Sequence, residues 1–376
     1  MTEKFAVAAG EALRDTGMRR ALRLATASAR DRRADAVAEL PDWEALRDAG
    51  SAIRRRALLD LDALLTGLEA AVTEAGGRVR WAGNAASARR IVEELAPDRA
   101  VLAGAVLAEI GLEPCGDPAE AACTVTGADF LVAETGTVVV LADPAPAGAL
   151  VAVAGIEQVV ARWRDLEVLL QLWPRSAGGS RMNPVTTMWT GIDLVLLDNG
   201  RTRALGDPLG REALTCIRCT ACSSACPVYE RVGAGPYGGV LPGPIGAVLT
   251  PLMHGIGPAH RASLPFASTL CGACADVCPV RIDLPGLLVM LRARVVESRR
   301  RRPVPTPELA LMRSLAWTMS EGRRYEQALA QTTRWARVLS RNGTIKRLPG
   351  LFGKWTEARD LPAPPRQGFR AWWRGR

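Results

Sequence analysis

The sequence has no apolar run of about 18 residues, which is the length that a membrane-spanning helix needs. Glycine-rich nucleotide fingerprints are absent as well, since no G-x-G-x-x-G follows a strand pattern and opens a helix, and no G-x4-G-K-S/T occurs. These absences argue against a transmembrane segment and against a dedicated flavin or nicotinamide site. No N-terminal signal peptide is visible either, so we expect a cytoplasmic location.

Histidine is also scarce, because His254 and His260 are the two in the whole chain. Neither stands at the spacing from a cysteine run that zinc-binding motifs use, so we expect both to be structural or solvated. His254 is retained as the alternative ligand of an incomplete metal site.

Cysteine, in contrast, is concentrated in one stretch, since seven of the nine cysteines lie between residues 216 and 278. The first run has the spacing C-x2-C-x2-C-x3-C-P, in which three thiolates of bacterial ferredoxins bind one cubane and the fourth reaches a second cluster. The second run repeats the last three positions, and Ser268 stands where its first cysteine would be. The runs consist of Cys216, Cys219, Cys222 and Cys226, and of Cys271, Cys274 and Cys278.

This exchange of ligands between the runs predicts two iron–sulfur clusters. The first has four thiolates and is a [4Fe-4S] cluster. The second is a three-cysteine site, which holds a [4Fe-4S] or a [3Fe-4S] cluster. Cluster 1 takes Cys216, Cys219, Cys222 and Cys278, and cluster 2 takes Cys226, Cys271 and Cys274.

Two other uses of paired cysteines fit the sequence less well. Structural zinc also uses C-x2-C pairs, but a zinc site closes with four ligands, and seven cysteines with a proline after each run do not divide in that way. Disulfides need an oxidising compartment, which the missing signal peptide argues against. Cys115 and Cys123 lack any partner spacing, so they receive no role.

A chain of 376 residues is long enough for two or three domains. Residues 1–75 have a helical pattern, most clearly from Ile53 to Val72, and Gly76-Gly77 ends it. Residues 76–205 alternate between short apolar strands and helices, which predicts α/β layers. The predicted strands are Val79–Trp81, Ala100–Ala103, Phe130–Ala133, Thr137–Leu141, Leu150–Val153 and Ile192–Leu197, and the predicted helices are Ala86–Leu95 and Ile156–Leu172.

One turn of the α/β domain contains its candidate catalytic residue. The segment Glu134-Thr135-Gly136 lies between two predicted strands and is typical of a hairpin turn, in which Gly136 supplies backbone freedom. Glu134 is the candidate catalytic carboxylate, with a plain turn residue as the alternative. The catalytic residues are otherwise unassigned.

The last two regions are the cysteine-rich residues 206–300, with a predicted helix over Ile282–Val296, and a basic tail of residues 301–376, with a helical pattern over Glu308–Leu339. Residues 281–376 hold 21 Lys and Arg against 7 Asp and Glu, a net +14, which leaves −5 for the rest of the chain. The run Arg299–Arg302 is typical of a solvated helix end, with binding to an acidic partner or a membrane surface as the alternative.

Together these segments resemble the LutB family, the iron–sulfur subunits of the bacterial lactate-utilisation system. Upstream of the cysteines the resemblance is to the LUD domain of that family. The segments that carry it are Thr126–Thr137, Gly155–Val160, Cys216–Tyr229, Tyr237–Pro251, Leu270–Val280, Trp355–Pro362 and Phe369–Trp373.

The resemblance implies an α/β LUD domain of CoA-transferase-like fold, followed by an α-helical two-cluster ferredoxin-type domain. It also implies an electron-transfer subunit that joins two sister subunits to oxidise L-lactate to pyruvate. The location would be the cytoplasm or the inner membrane face, and the basic tail would meet a membrane surface or an acidic redox partner.

Two departures accompany the resemblance. Members of the family carry an extra segment between the strand near Val101 and Thr126, and a Ser-Lys-Ser where this chain has Ala103-Gly104-Ala105, so the LUD domain here is shortened. A second function remains open, namely a non-enzymatic iron–sulfur sensor or scaffold whose basic tail binds an acidic partner. Nucleic acid is the less expected partner.

Overall fold

A computed structural model of the chain describes residues 4–142, 148–239, 241–301, 307–350, 353–356, 359–365 and 368–375. The chain divides into two compact units, Met1–Val295 and Val296–Arg376. Within the described ranges, no helix is both long and apolar enough to cross a membrane. Arg302, the last residue of the predicted basic run, lies outside the described residues.

The N-terminal segment is helical, as its apolar periodicity predicts. Asp15 begins the second helix, because its carboxylate accepts a hydrogen bond from the backbone N–H of Met18 at 2.8 Å. Gly76 follows the fourth helix with a φ of +88°, a left-handed conformation that glycine adopts without strain. The helices are α1 (Phe5–Ala12), α2 (Thr16–Ala38), α3 (Trp43–Leu59) and α4 (Leu61–Glu74).

Strands and helices alternate in the α/β domain. The strands are β1 (Arg78–Ala82), β2 (Arg99–Val101), β3 (Cys123–Gly127), β4 (Phe130–Val132), β5 (Thr137–Val140), β6 (Ala149–Gly155), β7 (Val159–Val160), β8 (Thr187–Trp189) and β9 (Asp193–Leu197). The helices are α5 (Ala85–Leu95), α6 (Ala105–Glu109), α7 (Trp163–Ala177) and α8 (Arg201–Leu205). Strands β1, β9, β6, β3 and β2 lie in that order in one parallel sheet, which forms the centre of the domain.

A second, mixed sheet has the strand order β7, β4, β5 and β8. Strands β4 and β5 are antiparallel and are joined at Glu134-Thr135-Gly136, so the predicted hairpin is confirmed. Gly136 has a φ of +67°. A Cβ atom at this position would lie 2.6 Å from the backbone N of Val72, so α4 also packs too closely for any other residue.

The predicted helix Ile156–Leu172 is wrong in its first half. A single 3-10 turn covers Ile156–Gln158, β7 follows, and α7 begins at Trp163. Strand β7 pairs in parallel with β4, and buried Arg54 binds the carbonyl oxygen of Val159 at 3.0 Å. These tertiary contacts override a local pattern that suits a helix equally well.

The sequence pattern also predicts no strand at β3 or β8, although β3 lies inside the parallel sheet. Its buried residues include Thr124 and Thr126, so the strand has no continuous apolar run. Burial of hydroxyl groups inside a sheet depends on the neighbouring strands, which the local sequence does not reveal.

The cysteine-rich region consists mostly of short helices, and the first two of them pack against α2. The helices are α9 (Ala221–Ala225), α10 (Tyr229–Val232), α11 (Gly243–His254), α12 (Ala259–Ser263), α13 (Ala273–Asp276) and α14 (Leu284–Arg300), with 3-10 turns at Arg211–Thr215, Gly235–Tyr237 and Leu264–Phe266. Buried Leu169 of α7, Leu288 of α14 and Cys222 belong to one hydrophobic core. The α/β domain and the cysteine loops therefore share a core.

The second unit contains α15 (Pro307–Met319), α16 (Gly322–Leu339), β10 (Thr344–Ile345), α17 (Gly353–Thr356), β11 (Leu361–Pro362) and α18 (Phe369–Arg374). The helical pattern over Glu308–Leu339 thus corresponds to two helices rather than one. Strands β10 and β11 pair in antiparallel orientation. Arg374 of α18 binds Glu326 of α16 at 2.6 Å, which ties the aromatic end of the chain to this unit.

Candidate iron–sulfur centre

Four cysteines line one cavity. Three come from the loop that begins at residue 216, and the fourth ends the second cysteine run. Arg218 and Thr220 have φ values of +57° and +59°, so the loop turns sharply twice between its cysteines. Left-handed residues other than glycine cluster at functional sites, where the surrounding structure holds them. The four cysteines are Cys216, Cys219, Cys222 and Cys278.

Backbone N–H groups face the sulfurs of this cavity. The N–H of Arg218 donates to Cys216 Sγ at 3.3 Å, and the N–H of Ile282 donates to Cys278 Sγ at 3.4 Å. Hydrogen bonds of this kind stabilise a thiolate and tune the reduction potential of a cluster that it binds. Much of the remaining wall is apolar and includes buried Ile245, so water has little access to the sulfurs.

Arginines partly offset the effect of burial on these thiols. Burial raises the pKa of the Cys216 thiol to about 11, whereas the guanidinium groups of Arg218 and Arg54 oppose the rise. Burial also raises the pKa of Cys219, and Arg33 opposes it. Left to themselves, these thiols stay protonated at neutral pH, so bound iron would have to displace their protons.

The other three cysteines of the runs form a separate group. Burial raises the pKa of the Cys274 thiol to about 12, and the thiolates of Cys226 and Cys271 add to the rise. Cys278 belongs to the same run as Cys274, but its charge acts on a thiol of the first group. Burial raises the pKa of Cys216 most, and the Cys278 thiolate raises it further. The exchanged ligand sets have the same grouping and stay a prediction.

The surroundings of Tyr237 indicate whether the second group of cysteines suits a cluster. Tyr237 is 1% exposed, and its hydroxyl is buried without a partner at hydrogen-bond distance among the described residues. Burial raises the pKa of Tyr237, and the Cys226 thiolate raises it further, so the phenol lies beside this cysteine. A buried O–H without an acceptor costs about 1–3 kcal/mol. The Tyr237 hydroxyl can donate a hydrogen bond to sulfur at Cys226. The residues of this second group therefore fit an iron–sulfur cluster.

Both histidines have contacts that do not involve the cysteines. His260 is buried, and its Nε2 lies 3.0 Å from the carbonyl oxygen of Tyr237, so it supports the turn that carries the phenol. Burial lowers the pKa of His254, and the charges that act on it most strongly belong to Glu109 and to Arg261. His254 therefore faces toward the α/β domain, where Glu109 ends α6.

Ser268 occupies a turn next to the second group. Its Oγ accepts a hydrogen bond from the backbone N–H of Leu270 at 3.1 Å, which helps to close the turn before Cys271. Its carbonyl oxygen accepts a hydrogen bond from Arg292 at 2.8 Å. Cys271 is exposed, so the second site reaches the protein surface, whereas the most accessible cysteine of the first site, Cys216, is partly buried.

The cavity bears on the choice between zinc and a cluster. Four cysteines line it, an arrangement that suits a cubane with iron at separate corners. In the part of the chain that the structure describes, no three His, Cys, Asp or Glu side chains converge on one metal position.

A buried ionic network joins the first cysteine loop to the α/β domain. Arg218 Nη2 lies 2.6 Å from Glu157 Oε1, and Arg201 Nε lies 2.5 Å from Glu157 Oε2. Arg201 Nη1 also binds Glu109 Oε1 at 2.8 Å. Although burial favours the neutral acid, the guanidinium groups of Arg201 and Arg218 hold the pKa of Glu157 at about 2. Arg54 completes the network through hydrogen bonds to backbone carbonyls on both sides.

The sequence patterns do not predict a role for the arginines that hold the cysteine loops. Arg47 Nη2 donates to the carbonyl oxygen of Cys278 at 2.8 Å, so α3 fixes the second cysteine loop. Arg54 lies seven residues later, and both stand on the buried face of α3. Two charged residues at i and i+7 of an apolar helix face are the signal that could have revealed them. Glu157 and Arg201 have no comparable pattern.

Glu134, the candidate catalytic residue, lies in an exposed turn. Its carboxylate accepts a hydrogen bond from the backbone N–H of Trp163 at 3.2 Å, at the first residue of α7. This geometry favours a helix cap over a catalytic role. Cys115 is exposed, whereas Cys123 is buried in β3, and neither belongs to the two cysteine groups.

Two family models match the chain. A LUD domain matches residues 117–194, and a 4Fe-4S dicluster domain matches residues 212–282. The fold therefore combines an α/β LUD domain with a ferredoxin-type dicluster domain. A crystal structure of a DUF162 family protein from Deinococcus radiodurans aligns with 36% of this chain and 98% of its own, at 17% identity and a TM-score of 0.29.

Curated relatives with the name Lactate utilization protein B are similar over most of the chain. Lactate utilization protein B 1 of Bacillus mycoides is 32% identical over 448 residues, which cover 95% of this chain and 93% of that protein. The protein of Exiguobacterium sp. is 30% identical over 468 residues, which cover 100% and 98%. Both alignments exceed the 376 residues of this chain, so these relatives carry segments that it lacks. The protein of Oceanobacillus iheyensis is 37% identical over 268 residues, which cover 66% of this chain and 55% of that protein.

Proposed function

Because the chain belongs to the lactate utilization protein B family, we propose that it is the iron–sulfur electron-transfer subunit of a complex that oxidises L-lactate to pyruvate. The observation that carries the proposal is the division of seven cysteines into a group of four around a cavity and a separate group of three. Iron–sulfur clusters, when bound, supply one-electron transfer. The proposed ligand sets are Cys216, Cys219, Cys222 and Cys278, and Cys226, Cys271 and Cys274.

One short helix ties the two ligand sets together. Cys222 lies in α9, and Cys226 directly follows the end of that helix. Four residues at about 1.5 Å of helical rise separate the two Cα atoms by about 6 Å along the axis. This spacing supports electron exchange between the two sites. The exposed Cys271 makes the second site the proposed point of contact with a redox partner.

The arginines around the first site support a difference in reduction potential. Arg218, Arg54 and Arg33 all act on thiols of the first ligand set, and Arg47 acts on Cys278. Positive charge favours the reduced state, which carries one more negative charge. We therefore place the higher reduction potential at the first site, which a redox titration followed by electron paramagnetic resonance (EPR) would measure.

The partners and the location belong to the same proposal. We propose sister subunits of a lactate-utilisation complex in the cytoplasm, with the basic tail meeting an acidic redox partner or a membrane surface. Arg300 and Arg301 each pair with Glu297, at 3.9 and 3.4 Å, and all three side chains are more than half exposed. Exposed pairs contribute about 0–1 kcal/mol, so carboxylates of a partner can compete for these arginines.

The test is reduction by the substrate itself. The chain is purified anaerobically together with its sister subunits, and EPR spectra are recorded after addition of L-lactate, with D-lactate as the matched control. We expect L-lactate to produce the signals of reduced clusters, and Cys216→Ser to remove one of them. Clusters that dithionite reduces but L-lactate never does would refute electron transfer from lactate and favour the sensor or scaffold function.

A further inference from the structure

A second cavity, of about 240 Å³, lies in the LUD domain at the carboxyl ends of β2 and β3. Ligands of parallel α/β sheets bind outside the carboxyl ends of the strands. The volume lies below the roughly 300–1,000 Å³ of sites for drug-sized ligands, so a ligand here is small. Its wall includes Leu102–Val106, Thr126–Asp129, Val140–Ala142, Gln158, Trp173 and Arg218.

Arg218 is shared by this cavity and the cysteine cavity, because it lines both. Its Nη2 binds Glu157, whereas its Nε and Nη1 have no hydrogen-bond partner among the described residues. The buried network contains three guanidinium groups, of Arg54, Arg201 and Arg218, against the two carboxylates of Glu109 and Glu157. Arg218 is the member of this network that reaches the LUD cavity, and the Asp129 carboxyl group of the same cavity lies within its electrostatic reach.

Two more polar residues line the same cavity. One is Trp173, whose buried Nε1 has no hydrogen-bond partner among the described residues. Asp129 Oδ2 accepts a hydrogen bond from the backbone N–H of Leu141 at 2.8 Å. Burial raises the pKa of Asp129, so this carboxyl group is suited to hydrogen bonding with a ligand hydroxyl. The small residues Ala103 and Ala105 also line this cavity and take up little of its space.

We propose that this cavity binds a short monocarboxylate with a hydroxyl or keto group on the neighbouring carbon, whose carboxylate lies on Arg218 and whose oxygen substituent meets Trp173 or Asp129. The carboxylate is assigned to Arg218 because a planar guanidinium group is well matched to a carboxylate, and the small volume of the cavity favours a short ligand with one carboxylate. The assignment of this anion as L-lactate or pyruvate rests on the proposed function.

Binding at Arg218 also has a consequence for the first cysteine site. Arg218 lies between Cys216 and Cys219 in sequence, and its backbone N–H binds Cys216 Sγ. Neutralising its side chain lowers the positive potential at this site. An occupied cavity should therefore make the cluster held there harder to reduce, and reduction should weaken binding by the same factor, because coupling between two sites is reciprocal.

The test uses the full-length chain with its clusters, and isothermal titration calorimetry with L-lactate, pyruvate, acetate and succinate. We expect L-lactate and pyruvate to bind, acetate to bind about tenfold more weakly, and succinate not to bind. Arg218→Gln should weaken binding by about tenfold or more, since a charged hydrogen bond is lost.

Because Arg218→Gln can also disturb the first cysteine loop, Trp173→Phe provides a second variant that removes only an N–H donor. It should weaken binding several-fold at unchanged iron content, whereas Trp163→Phe, on the exposed start of the same helix, should not. EPR-monitored titration should show a more negative potential for one cluster when pyruvate is present.

Absence of binding to the iron-replete chain, or binding that neither Arg218→Gln nor Trp173→Phe weakens, overturns the proposed site. Reduction of the complex by L-lactate with no binding to this chain would refute the site and leave the proposed function intact. Binding without any reduction of the complex by L-lactate would support the site and refute the proposed function.

Discussion

Replacement of Glu157 by Gln should destabilise the first unit by about 3 kcal/mol at pH 7. Glu157 is 5% exposed and its carboxylate bridges Arg201 and Arg218, so the change removes the negative charge that both guanidinium groups share. Its pKa is about 2, against 4.5 for an ordinary glutamate. A difference of about 2.5 in pKa corresponds to about 3 kcal/mol, and breaking a buried ion pair costs about 3–5 kcal/mol.

The assay is thermal unfolding of the anaerobically purified protein, followed by circular dichroism. A loss of about 3 kcal/mol in a domain of this size lowers Tm by about 6–12 °C. Glu94→Gln is the matched control, because Glu94 is 69% exposed and lies 4.0 Å from Arg90. Removing such a surface pair should lower Tm by about 2 °C at most.

The pH dependence has a definite sign, because the pKa of Glu157 is lowered in the folded state. The unfolded chain takes up a proton near pH 4.5, whereas the folded chain keeps Glu157 ionised down to about pH 2. The stabilisation is therefore fully present above pH 4.5 and is lost as the pH falls toward 2, with about 1 kcal/mol lost by pH 4. Equal Tm values for Glu157→Gln and Glu94→Gln would refute the reasoning. A difference in Tm between wild type and Glu157→Gln that is larger at pH 4 than at pH 7 would refute it as well.

Three further predictions concern the cysteine sites and the basic tail. Cys278→Ser should damage the same EPR signal as Cys216→Ser, and Cys226→Ser should damage the other; grouping of Cys226 with Cys216 would contradict the exchanged ligands. Ser268→Cys should protect the second cluster from iron loss during brief exposure to air, measured by EPR with iron counting, because it restores a thiolate at ferredoxin spacing; equal loss with and without the new thiol would mean that the fourth ligand comes from elsewhere. Binding of the sister subunits should weaken with salt, since the Debye length falls from about 10 Å at 0.1 M, and also when Arg299–Arg302 are replaced by Gln. If neither salt nor the Gln replacements change the affinity, Arg299–Arg302 form only a solvated helix end.

The dicluster domain is a part of the molecule that sequence predicts well, whereas its ligand sets stay a prediction. Ligand spacing is local, since two residues between cysteines already dictate a tight loop, and the structure adds the left-handed turns at Arg218 and Thr220. The hairpin at Gly136 is predictable for the same reason, because a turn depends on a few consecutive residues.

Contacts between distant segments explain what sequence does not predict. The short strand β7 is specified by its pairing with β4 and by Arg54, which comes from a helix about 100 residues earlier. The LUD cavity combines Trp173 of α7 with Arg218 of a cysteine loop, and no local pattern links the two. Buried charges follow the same rule, because Glu157 is stable in the core only with Arg201 and Arg218 beside it.

The central claim is that the two cysteine groups hold two iron–sulfur clusters, and metal analysis of the anaerobically purified chain tests it most directly. The account predicts about seven or eight iron atoms per chain with matching sulfide, and two distinct EPR signals after reduction. About one zinc ion per chain, or about four iron atoms with a single signal that all seven cysteines affect alike, would contradict it.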